Sequence, residues 1–330
     1  MRKATIVIIA LIVVASVSVA AVYLPRSNDG PSDTTPRNET PTDGVVVYDP
    51  YASGGQWFKG QMHCHSTQSD GALAPRDVVS RYADLGYDFI ALTDHERITK
   101  VTGSILVLGQ EYGKGSAEST GETHMNGINI SYVPYKYALE QERVDNMTAQ
   151  GGIVTLNHPA YYKYAYEDEV MAELTNYTCL EIANGYYVSM TTIEWWDDAL
   201  TSGKTIWGLA ADDAHGVSDY DKGWIVVRTS EDLTTDSIID AIKRGSFYAS
   251  TGAIIDDVVV AGSNITVSTP GADNIRFFGS EGKLLAAFNG SQATYHFNGT
   301  EGYVRAVVGA NDGWGWTQPI FVGAKVSVQG

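Results

Sequence analysis

Between residues 56 and 216, apolar runs that read as strands repeatedly stop at a histidine, a carboxylate or an amide, and this constrains the fold more than any other feature. The run 56–62 stops at His63-Cys64-His65, with Asp70 just beyond. The run 87–92 ends in Thr93-Asp94-His95-Glu96, and 104–108 ends in Gly109-Gln110-Glu111. His124 stands just before the run 128–133, and 152–156 ends in Asn157-His158-Pro159. The run 179–183 ends in Asn184-Gly185, and 205–210 ends in Ala211-Asp212-Asp213-Ala214-His215. Alternate residues of a strand share a face, so His63 and His65 point the same way while Cys64 faces away, read as a buried free thiol with a bond to Cys179 as the alternative. Between these runs, 75–85, 137–150, 167–175, 191–201 and 235–244 carry helical patterns. Strand–helix alternation means a largely parallel sheet or barrel, with its chemistry at the strand ends. Imidazoles and carboxylates converging there suit divalent metal ions.

The N-terminus differs. Arg2 and Lys3 precede an uncharged, almost wholly apolar run, 4–24, long enough to span a bilayer and oriented with the remainder outside the cytoplasm. Residues 1–24 are therefore expected to be a signal anchor, with a cleaved signal peptide as the rival because Ser18-Val19-Ala20 resembles a cleavage site. Residues 25–44, rich in Pro, Thr, Asn and Asp, read as a flexible linker. Sequons begin at Asn38, Asn129, Asn146, Asn176, Asn264, Asn289 and Asn298, consistent with N-linked glycans on an exported or secreted protein. The net charge of -17 argues against a nucleic-acid partner, whose phosphates call for Lys and Arg.

The series H-C-H-S-T-Q-S-D-G, T-D-H, G-Q-E, an isolated His, N-H-P and D-D-A-H resembles, in order, the PHP (polymerase and histidinol phosphatase) superfamily over about residues 56–252. The resemblance implies a distorted seven-stranded α/β barrel over 45–253, with up to three divalent ions (Zn, Mn or Fe) at its mouth. His63, His65, Glu111 and Asp213 would hold one ion. Glu111 would bridge to a second, held also by His124 and His158. Asp70, in a place that is His in some members, would hold a third with His95 and His215. Asp94 is expected to orient His95 or a neighbouring ligand, and Asp212 to act from the loop; both are candidates for moving the proton. The segments 180–185, 212–216 and 245–252 resemble the carbaryl-hydrolase branch, which includes carbamate cleavage.

From 254 to 330, short β runs separated by Gly/Asn/Ser turns predict a small β-sandwich. Trp314, Trp316 and Pro319 are read as packing residues, with glycan binding as the alternative. The whole reads as an exported metal-dependent hydrolase acting on a small-molecule ester, with a metal-held hydroxide as nucleophile. Phosphoesters are the first expectation and carbamate or carboxylic esters the second. A metal-containing cell-surface binding protein without catalysis is the rival from another class.

Overall fold

A computed structural model describes residues 45–323 except 112, 162, 164 and 186. The anchor, the linker and the Asn38 sequon lie outside these residues. In chain order the strands begin with Val46–Tyr48 (β1) and Gln56–Gln61 (β2), then helix Pro75–Asp84 (α1), Phe89–Ile90 (β3) and Leu106–Val107 (β4). Gly115–Thr120 (β5) and His124–Ile130 (β6) form a hairpin before helix Glu140–Ala149 (α2). Ile153–Leu156 (β7), helix Asp168–Glu173 (α3), Cys179–Asn184 (β8), Tyr187–Val188 (β9), helix Met190–Thr201 (α4) and Trp207–Ala211 (β10) follow. Trp224–Thr229 (β11), helix Thr235–Lys243 (α5) and Phe247–Ser250 (β12) complete this part. The remaining strands are Asp257–Ala261 (β13), Asn264–Ser268 (β14), Ala272–Gly279 (β15), Lys283–Asn289 (β16), Gln292–His296 (β17), Gly302–Ala310 (β18), Gly313–Thr317 (β19) and Ile320–Gly323 (β20).

The fold is mixed α/β, and among the described residues no sheet closes into a barrel. One sheet runs β1-β20-β18-β19-β12-β11-β2-β3-β4, with β15 and β16 beside β18; a second runs β10-β8-β7-β6-β5, with β9 on β8. The seven-stranded barrel is thus replaced by two sheets, and the reason lies at their seams. Where the segment after β2 approaches that after β10 the ladder shrinks to one bridge, Cys64↔Ala214, and where the segment after β3 approaches β5 to another, His95↔Glu118. Both bridges lie in ligand-bearing segments. Near or within them Asp213 (φ 52°) and Glu96 (φ 53°) take left-handed backbone, as does His158 (φ 29°), a conformation that re-aims a side chain and ends regular pairing.

Apolar residues on both sheets and the inner faces of the helices form the main core, with Trp196, Trp207, Phe89 and Phe247 fully buried. Gly60 permits the β2–β3 approach, because a Cβ there would overlap the Phe89 ring. The C-terminal strands split into two layers sharing a core of Val258, Ile265, Ile275, Phe277, Val304 and Val308. One layer is the three-stranded sheet β13-β14-β17. The other is continuous with the ligand-bearing sheet through the antiparallel pairing of β12 with β19. The boundary expected at 253/254 therefore falls between strands joined in one sheet. No helix among the described residues is long and apolar enough to cross a membrane.

Candidate metal centre

Two parallel segments found the site. At the end of β2, Gln61 is fully buried and its Oε1 accepts from the backbone N–H groups of Met62, His63 and Asp212. Its Nε2 donates to Gly223 O at 2.9 Å. Asp213 N then donates to His63 O (3.0 Å), and His65 N to Ala214 O (3.1 Å). H-x-H and D-x-H are thereby zipped side by side.

Glu118, on β5, is the carboxylate at the centre. It is fully buried, with Oε1 3.4 Å from His63 Nε2 and 3.2 Å from His124 Nδ1. Its Oε2 is 3.7 Å from His65 Nε2. His63 Nε2 and His65 Nε2 are 3.1 Å apart, and Asp213 Oδ1 is 3.1 and 3.3 Å from them. Two nitrogens bound at about 2.0–2.1 Å to one tetrahedral ion stand ~3.3 Å apart, so His63, His65 and Asp213 have the mutual spacing of a ligand set, with Glu118 beside its two imidazoles. A second grouping joins His63, Glu118 and His158; a third joins His65, Asp70, His95 and His215. In the third, Asp70 reaches His95 Nε2 at 3.2 Å and His215 Nε2 at 3.3 Å.

The donors fit a cation. His65 Nδ1 and Glu118 Oε2 are buried without a hydrogen bond among the described residues, a costly arrangement in an apolar interior. Glu118 Oε2 lies 2.6 Å from His95 Nδ1 but not in hydrogen-bond alignment. Burial alone would raise the Glu118 pKa, yet His63, His124 and His95 hold it well below the ordinary range. Asp213 is likewise lowered, against burial, by His63 and His65. Burial lowers His63, but Asp213, Glu181 and Glu118 more than offset it and hold its pKa well above the usual imidazole value. His95 is raised against burial by Glu118 and Asp70; His65 and His158 are lowered by burial.

The structure brings together every ligand expected from the sequence except Glu111. Glu111 is exposed on the turn after β4, which leaves the site at Gly109 (φ 77°), and it has no place in the cluster. Glu118 stands where Glu111 was expected, because residues 115–120 form a strand and carry it beneath His95. Asp94 and Asp212 also turn away from the reacting side. Asp94 accepts from Ser66 N and Oγ, Ser69 Oγ and Thr99 Oγ1, which folds the 66–71 loop. Asp212 accepts from the backbone N–H groups of Asp221, Lys222 and Gly223 and from the Tyr82 hydroxyl. Burial outweighs those bonds and raises its pKa to about 6. Their oxygens are thus engaged in loop geometry, and neither residue lines the cavity over the histidines.

The orienting role falls instead to Glu181, which the sequence reading passed over. Its Oε2 lies 2.9 Å from His63 Nδ1, leaving Nε2 for the cluster, and its Oε1 accepts from His158 N at 3.1 Å. The signal was a lone charge in the apolar strand β8, every residue of which is buried. Asn157 donates to Glu118 Oε1 at 2.7 Å and fixes that carboxylate. Cys64 faces away, its thiol donating to Ala91 O. Over the histidines lies a cavity of about 320 Å³, lined also by Asn184, Tyr161 and Tyr187. The two tyrosine rings stack at 6.3 Å, and the Tyr187 hydroxyl is buried with no hydrogen-bond partner among the described residues.

No family model matches the chain. A stretch of 82 residues is 40% identical to the DNA polymerase/3'-5' exonuclease PolX of Bacillus subtilis, covering 23% of this chain and 14% of that protein. Another likeness, 34% over 73 residues, is to a 5'-3' exoribonuclease of Haemophilus influenzae, covering 22% of this chain and 23% of that protein. The chain thus spans less than a quarter of the length of these curated relatives. Among solved structures, a two-domain protein of Bacteroides vulgatus, described as containing a PHP-like metal-dependent phosphoesterase, aligns with a TM-score of 0.49. That alignment has 18% identity and covers 80% of this chain and 95% of the other. An amidohydrolase of Chromobacterium violaceum aligns with a TM-score of 0.35 at 16% identity, over 48% of this chain and 88% of that one.

Proposed function

We propose that the chain is a metal-dependent hydrolase of the PHP type that cleaves small phosphoesters outside the cytoplasm. One observation carries this reading: His63, His65 and Asp213 present donor atoms at the mutual spacing of ligands to one ion, and Glu118, grouped with His63 and His158, presents a second set beside them. Both curated relatives bear nuclease names, and nuclease chemistry is phosphoester chemistry. The strong negative charge of this chain favours a small substrate over a polyanion. Bound divalent ions would polarise a phosphoryl oxygen and lower the pKa of a water.

The protein's own part is positional. Glu181 holds the His63 tautomer, Asn157 holds Glu118, and the cavity leaves the His95, His215 and Asp70 side open to a substrate. The Tyr187 hydroxyl is placed to donate to a substrate oxygen. Export rests on the apolar N-terminal run, and the exposed sequon asparagines Asn176, Asn264, Asn289 and Asn298 are accessible to glycosylation.

The test begins with the metal content of the full chain purified without chelator. Phosphate mono- and diester, carbamate and carboxylic ester substrates are then assayed alongside a His63→Ala/His65→Ala variant. Two or more ions per chain and a phosphatase activity absent from the variant are expected. Activity confined to carbamate or carboxylic esters would replace the substrate class, and metal without hydrolysis would point to a binding protein.

A further inference from the structure

A second cavity, of about 550 Å³, lies between α4 and the C-terminal strands β15, β18 and β19. Val188 lines it, whereas the preceding residue, Tyr187, lines the metal-centre cavity, so the short strand β9 separates the two. The cavity has the size and mixed lining of a small-molecule site.

Its deepest polar group is incompletely satisfied. Arg305 is 2% exposed and lies over the rings of Trp196 and Phe278. Its Nε and Nη2 donate to the two oxygens of Asp197 at 2.8 and 2.7 Å. Nη1 is buried and has no acceptor among the described residues. A buried donor of this kind calls for an acceptor from outside the chain. Nearer the mouth stand exposed Arg276, Glu194, Asp198 and Glu281, together with Trp314, 40% exposed. The backbone of Trp314 is pinned to Thr251 in both directions, which fixes where its ring is attached at the mouth.

We propose that this cavity is a binding site for a neutral saccharide. An anion would meet the carboxylates of Glu194, Asp198 and Glu281, and a cation would meet Arg276 and Arg305. A sugar ring needs both kinds of group: hydroxyls that donate to carboxylates and accept from guanidinium N–H, and a C–H face that packs on an aromatic plane. Trp314 supplies the plane, Arg305 Nη1 and Arg276 the donors, and Glu194 and Asp198 the acceptors. No metal ligand takes part, so the site stands apart from the hydrolase reading.

The test uses the full chain on an array of neutral mono- and oligosaccharides, followed by saturation-transfer NMR with the strongest hit. Citrate and spermidine serve as charged controls. Trp314→Ala is expected to weaken binding by about tenfold or more, with metal content unchanged. Asp198→Ala, a substitution on the exposed face of α4, should also weaken it and covers the case of a Trp314 variant that fails to fold. The proposal is overturned if no neutral saccharide binds, if binding survives both substitutions, or if citrate or spermidine is the ligand that depends on these residues.

Discussion

Glu111 and Glu118 are seven positions apart, and only one can reach the histidines. Glu118 touches ligand atoms of both the first and second groupings, whereas Glu111 lies exposed on a turn. Glu118→Gln should therefore remove bound metal and lower hydrolysis by more than the about 10–100-fold typical of losing an outer-shell partner. Glu111→Gln should leave both unchanged; metal content and rate measured on the two variants check the assignment. A different fate awaits Asp94, whose carboxylate accepts four hydrogen bonds from the 66–71 loop and Thr99. Asp94→Asn should cost about 2–3 kcal/mol, since bonds to a charged group contribute more than neutral ones. Thermal unfolding of the metal-loaded chain would show it as a fall in Tm rather than as a change in the pH profile of the rate. Motif order made the histidines legible, because an imidazole at a strand end has few roles. Carboxylates at strand ends were less so: Asp94 and Asp212 adjoin ligands in sequence but cap loops.

The helices were the most legible elements: Pro75–Asp84, Glu140–Ala149, Met190–Thr201 and Thr235–Lys243 lie close to the expected ranges. Their apolar periodicity follows from packing on a sheet. The strand Gly115–Thr120 was not legible. Its residues are small or polar, so it reads as a loop, and only pairing with β6 makes it a strand. That omission misplaced the central glutamate. Strands β18 to β20 were partly legible as β structure, but their pairing with β12 and β1 is non-local and leaves no periodic signature. One tie between the two parts is testable. Asp197 on α4 accepts from Arg305 and from the Tyr303 hydroxyl, all buried, which fastens α4 to β18. Asp197→Ala leaves the Arg305 charge buried without its partner, and a loss of about 3–5 kcal/mol is expected. Denaturant unfolding measures this directly, and a loss below about 1 kcal/mol, the level of an exposed pair, would sink the assigned role.

At the scale of the molecule, the centre is a set of charges that the fold assembles from six strand ends or loops and that a cation would complete. Carboxylates lower the cost of charging His63 and His95, while burial raises that of His65 and His158. In the metal-free chain the raised His63 and His95 contribute stability that is full below the ordinary imidazole pKa of about 6.5 and is lost as pH rises through their folded values. The lowered His65 and His158 act in the opposite sense, since the unfolded chain gains their protons first as pH falls. Metal competes with the protons on His63 and His95, so binding must release them. Calorimetry of Mn or Zn binding to the chelated chain near pH 6.5, in buffers of different ionisation enthalpy, should therefore report release of about one to two protons per chain. Affinity should climb with pH until those imidazoles are neutral. The stability conferred by metal should climb with it, by about 4 kcal/mol where free metal exceeds Kd a thousandfold. A proton-neutral binding step would mean that these histidines are not the ligands. A metal-independent Tm would mean that the converging carboxylates and imidazoles are compensated from within the chain, and that the fold needs no cation.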